Sequence, residues 1–178
     1  MRFKGTAALA AVFIGIVFYY FLIDLPSEKR KKEEKDRSEK VILFDPENVK
    51  AISFIKGEIP IKLKRLGIDE WQMTAPVNAN GDAPAVSDFL SFLKNLNFTR
   101  VVEESPKDLT SFGLDTPDLK IILSMNNGET KGVRVGDDHP MGNKVYLARL
   151  KEGWVLAADV TKNRLDRKVH DLRDKTIL

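Results

Sequence analysis

Residues 5–23 carry no charged side chain, in a chain that is 31% Asp, Glu, Lys and Arg overall. At about 1.5 Å per helical residue this run reaches roughly 28 Å, close to the hydrocarbon thickness of a bilayer. The small residues Ala7, Ala8, Ala10 and Ala11 stand at its start, and Phe18-Tyr19-Tyr20-Phe21 near its end. A cleaved export signal would have the opposite order, with small residues at its far end. A lipoprotein anchor needs a cysteine, and the chain has none. A buried core helix would show polar residues every few positions. The run therefore predicts an uncleaved transmembrane helix, with Tyr19 and Tyr20 at headgroup level.

The charge balance changes once the chain is divided. Its formal +3 comes from 29 Lys and Arg against 26 Asp and Glu. Residues 1–40 hold nine basic and six acidic side chains, which leaves twenty of each in residues 41–178. The domain itself is formally neutral, so the basic face that nucleic-acid binding requires is missing and no nucleic-acid partner is expected. Without cysteine there are no disulfides, thiolate metal sites or thiol nucleophiles.

Residues 27–40, S-E-K-R-K-K-E-E-K-D-R-S-E-K, contain no apolar side chain and read as a solvated linker. The pairs Glu28–Lys32, Glu33–Arg37 and Asp36–Lys40 would each favour a helical stalk by a few tenths of a kcal/mol. A flexible tether fits equally well. Orientation is contested: seven Lys and Arg lie in the linker against Arg2 and Lys4 on the other side. Read literally, that count puts the domain in the cytoplasm, although large domains translocate largely regardless of it.

Residues 41–178 have the size of one domain. Strand-like alternation is seen over 49–56 and 59–66 around Gly57-Glu58, then over 70–73, with Ala75-Pro76 closing the third strand. A polar loop with Asn78, Asn80 and Gly81 is expected next. Residues 82–96 predict a helix with Asp82 as N-cap, Pro84 in the first turn, and an apolar stripe of Val86, Phe89, Leu90, Leu93 and Leu96. Phe92 falls at the edge of that stripe. Residues 98–103, 119–125, 130–135, 144–150 and 153–157 predict further strands, and 160–172 a closing helix with Leu165, Val169 and Leu172 on one side. Strands in groups rather than alternating with helices predict an α+β fold, with a mostly antiparallel sheet and two main helices.

The chemistry is sparse. His139 sits in the loop 136–143 with Asp137, Asp138 and Asn143, where a weak ligand site competes with a plain polar turn. His170 is read as exposed on the basic closing helix. There is no nucleophile elbow, phosphate loop, dinucleotide fingerprint or paired zinc-ligand spacing. Trp71 and Trp154 are read as core residues, with a partner-facing role as the alternative. No catalytic, cofactor-binding or metal-binding residue is assigned, and no cofactor is expected.

One set of residues carries a resemblance: Leu43-x-Asp45-Pro46-x-x-Val49-x-x-Ile52, Trp71 with Pro76, Phe112-Gly113-Leu114-Asp115-x-Pro117, Val135-Gly136, Tyr146 and Leu172-Arg173-Asp174-Lys175. The chain resembles the bacterial domain-of-unknown-function family 4340 from Leu43 onward. The resemblance implies an inner-membrane protein with its domain outside the cytoplasm, associated with ABC-type transport or gliding auxiliary systems. It supplies no catalytic residues. The expected layout is a cytoplasmic tip and membrane helix (1–25), a linker (26–40) and an extracytoplasmic domain (41–178). The expected role is a non-enzymatic docking subunit with a protein partner in the envelope, or alternatively a module binding a lipid, glycan or peptide. Glu39-Lys40-Val41-Ile42-Leu43 is echoed by Asp174-Lys175-Thr176-Ile177-Leu178, as in a unit that is sometimes built in tandem.

Overall fold

Alternation sets the strands. In β6, Leu119–Met125, every other residue is buried, as one face of a pleated strand packs on a core. The computed structural model describes residues 39–104, 106–140 and 142–175, together with Phe13. The chain divides into two units, Met1–Glu39 and Lys40–Leu178. Of the first, only Glu39 and Phe13, helical and exposed, are described. The predicted membrane helix and the linker up to Ser38 otherwise lie outside the described residues. Among the described residues no helix is long and apolar enough to cross a membrane.

The second unit is α+β, built on a nine-stranded sheet in which every pairing is antiparallel. Its strands are β1 (Val49–Ile55), β2 (Ile61–Arg65), β3 (Trp71–Ala75), β4 (Ala79–Asn80), β5 (Phe98–Glu103), β6, β7 (Thr130–Asp138), β8 (Val145–Arg149) and β9 (Val155–Ala158). They lie in the order β4-β3-β2-β1-β6-β7-β8-β9-β5. Two meanders thus join through the β1–β6 pair. The chain leaves one edge at β4 and rejoins the sheet at the other edge with β5.

Helix α1, Ala83–Asn95, makes that crossing. The Asp82 carboxylate accepts from the Ala85 N–H at 2.9 Å, satisfying a donor that the first turn leaves without a partner. Val86, Phe89, Leu90 and Leu93 are buried as the spacing predicts. The Phe89 ring lies 5.0 Å from that of Phe54 on β1, and Phe92 is only partly buried at the edge of the cluster.

The return path runs over the opposite face. Val145 and Leu147 of β8 enter the main core, whereas Ala148 and Tyr146 belong to a smaller cluster with Leu114, Val155 and Phe112. Since neighbouring strand residues point to opposite faces, α1 and the segment around Leu114 cover the two sides of the sheet.

Three expectations need correction. The closing helix of 160–172 is instead two single turns, α2 (Lys162–Leu165) and α3 (Val169–Leu172), so the domain has one main helix rather than two. The Asp171 carboxylate accepts from the Lys168 N–H at 2.9 Å and starts a fresh helix there, while Lys168 itself is extended. The polar stretch after Pro76 contains β4, which pairs Asn80 with Gln72 and Ala79 with Met73. The loop of 136–143 is shorter than expected, because β7 continues to Asp138 through a register shift after Val135.

Candidate functional site

Two groups of the residues that carried the resemblance make close backbone contacts, at separate places in the sheet. A 3₁₀ turn, Thr110–Phe112, ends at Gly113 with φ 64°, a conformation that costs a residue bearing a β-carbon about 1–2 kcal/mol. A β-carbon on Gly113 would lie 2.5 Å from the Asp137 carboxyl carbon. One residue earlier on β7, a β-carbon on Gly136 would overlap the Phe112 carbonyl oxygen and stand 2.9 Å from Leu114 Cγ. Both glycines are therefore points of close approach, and they let 112–114 lie directly on the strand.

Leu114 is thereby fully buried, and its carbonyl accepts from Arg134 Nη1 at 3.3 Å. The Phe112 ring meets Tyr146 edge-on, with centroids 5.0 Å apart.

The second part of the signature works at the β4 edge. The Asp82 N–H donates to the Leu172 carbonyl and the Asp174 N–H to the Asn80 carbonyl, both at 2.9 Å. Arg173 forms a bridge with Gly81. Gly81 in turn donates to the Trp71 carbonyl at 2.7 Å, and a β-carbon on it would stand 2.9 Å from Trp71 Cβ. Leu172-Arg173-Asp174 thus continues the sheet beyond its shortest strand, beside the N-terminus of α1.

The domain family described as Domain of unknown function (DUF4340) matches residues 71–178. The chain belongs to this family. No curated protein and no solved structure matches it. In this DUF4340 member two of the quoted segments lie against the sheet, Phe112 to Leu114 on β7 and Leu172 to Asp174 on β4.

The polar residues singled out in the sequence are distributed as follows. Asp137 faces Lys162, at 3.4 Å, which also approaches Asp118 at 3.9 Å. His139 lies with its ring 5.1 Å from Tyr146. The His139 backbone N–H donates to the Lys144 carbonyl at 2.8 Å, closing the turn that holds Asn143 at φ 52°. Asp138 is exposed at the end of β7. Among the described residues no group of three or more His, Asp or Glu is placed to hold a metal ion. His170 is exposed. Trp71 is buried, but Trp154 is 39% exposed and precedes β9, so its reading as a core residue is corrected.

Sequence reasoning missed Arg149 and Lys131. Arg149 Nε donates to the Val41 carbonyl at 2.8 Å and Nη2 to the Lys40 carbonyl at 2.9 Å. Lys131 Nζ donates to the Leu43 carbonyl at 2.7 Å. Val41 is fully buried, and its N–H reaches the Leu96 carbonyl at 2.9 Å. Residues 40–43, at the start of the second unit, are strapped onto β7, β8 and the end of α1. The partners lie 88 to 109 positions apart, so no local pattern announces them.

Proposed function

We propose that this chain is a single-pass, membrane-anchored, non-enzymatic docking subunit of a bacterial envelope system of the ABC-type transport class, with its domain on the extracytoplasmic side. The observation that carries this reading is the order of segments along the chain. An uncharged run long enough to span a bilayer leads through a charged linker into residues whose carbonyls are gripped by Arg149 and Lys131.

The sheet edges argue for docking through loops or faces rather than by adding a strand. The β4 edge is covered by residues 172–174. The β5 edge carries two register shifts together with Arg100 and Glu103, devices that discourage edge pairing.

Topology and partnership are tested separately. A C-terminal alkaline phosphatase fusion is expected to be active and a cytoplasm-only fluorescent fusion dark; the reverse result removes the envelope reading. In mild detergent, stoichiometric recovery with transporter subunits supports docking. Recovery as a monomer retaining a lipid, glycan or peptide favours the alternative of a ligand-binding module.

A further inference from the structure

Around the β1–β2 turn the surface is apolar in the middle and basic at the rim. Phe54 forms the floor of an open groove whose walls are Ile59, Ile61, Pro76 and Val169. Ile59 is 68% exposed and Val77, next to Pro76, is 44% exposed, although exposed apolar side chains of this size are usually scattered rather than gathered. Lys56, Arg167 and Lys168 line the same groove. The nearby acids are Glu58 in the turn, Asp166, whose carboxylate is paired with Lys56, and Asp171, whose carboxylate is held by the Lys168 N–H. Arg164 and Arg167 extend the basic side, their guanidinium groups lying over Phe92 at 4.6 Å and Phe89 at 5.4 Å.

We infer that this face seats on the anionic surface of the bilayer, with Ile59 and Val77 dipping into the headgroup region and the basic rim meeting lipid phosphates. Large apolar side chains ringed by Lys and Arg are the composition of interfacial membrane contacts. Each basic group near an anionic leaflet strengthens binding about fivefold. The inference rests on the anchored reading above, because the tether supplies the local concentration. Residues 24–39 reach up to about 50 Å when extended. A domain of this length is roughly 35–40 Å across, so this face lies within reach of the bilayer.

The test uses the full chain, whose lack of cysteine allows single-site labelling. Val77→Cys is labelled with a fluorophore and reconstituted into vesicles of neutral phosphatidylcholine, or of phosphatidylcholine with phosphatidylglycerol, each carrying brominated acyl chains as quencher. Ile68→Cys is the control: it is 88% exposed in the turn at the other end of β2. The label at 77 is expected to be quenched at least about twofold more than the label at 68 in anionic vesicles, and to lose that difference in neutral ones. Lys168→Gln, at an exposed position, should weaken the anionic preference about fivefold, the effect of one charge.

Equal quenching at 77 and 68 overturns the inference, and so does quenching indifferent to lipid charge. Flotation reports on the anchor independently. A chain that fails to float with neutral vesicles removes the anchored reading, whereas one that floats but leaves position 77 unquenched removes only this inference.

Discussion

The Phe112 carbonyl oxygen rests against Gly136 so closely that a β-carbon there would overlap it. The obstacle is main chain rather than a flexible side chain, so the segment must shift to make room. Gly136→Ala is expected to destabilise the domain by about 1–3 kcal/mol through overpacking. Denaturant unfolding of the full chain in detergent checks this.

Gly113 separates two costs that coincide at one position. Its left-handed backbone penalises any side chain, and the Asp137 carboxylate occupies the space a β-carbon would need. Gly113→Ala should destabilise by more than the roughly 1–2 kcal/mol of the backbone alone. Adding Asp137→Ala should return only the steric part. A double-mutant cycle with no coupling between the two would show that the contact is irrelevant.

Arg149→Met keeps the bulk of the side chain but removes both bonds to the 40–41 carbonyls. Bonds from charged donors are worth about 1.5–3 kcal/mol in favourable cases. The Val41 amide should lose hydrogen-exchange protection, while Ile121 in the centre of the sheet keeps its own. Equal loss at both would indicate global destabilisation rather than an opened strap.

Asp171→Ala removes the acceptor for the Lys168 N–H, at an expected cost of about 1 kcal/mol. The loss should be confined to α3 and the Asp174–Asn80 contact that follows it. Amide exchange at Asp174 reads this out.

Asp108 titrates below the ordinary aspartate range, first because the Thr110 N–H donates to its carboxylate, at 2.8 Å, and then because the Thr110 hydroxyl does. A lowered folded-state value means that the stabilisation is complete above the unfolded aspartate pKa. It is lost as pH falls through the folded value. The group is fully exposed, so the effect is local. The Thr110 amide shift should follow an acid titration with a midpoint below that of a free aspartate, and Asp108→Asn should abolish that titration.

What could be read in advance was local. The Asp82 cap, the five-residue stripe of α1, and the limits of β6 all depend on residues within a few positions of one another. The break inside 162–172 was not legible. Leu165, Val169 and Leu172 keep helical spacing, yet the chain is extended between the two turns, where the Asp171 carboxylate starts the second. The strand at Ala79–Asn80 was hidden for a similar reason: it consists of two residues and depends on Trp71–Ala75 beside it. At the site, the motif residues were visible as a pattern. Their role in letting two backbones touch became visible only with Gly113 and Gly136 placed against their neighbours.

The sequence by itself determined the uncharged run of 5–23, the charged stretch of 27–40, the neutral balance of 41–178, its α+β character and its family resemblance. All of these follow from composition and short-range periodicity, which folding does not alter. The tertiary structure decided the strand order, the crossing of α1 from β4 to β5, the Arg149 strap and the gathering of Ile59 and Pro76 beside Lys56 and Lys168. Each of these joins residues far apart in the chain, and such contacts are chosen by the burial of whole faces rather than by the preferences of any one segment.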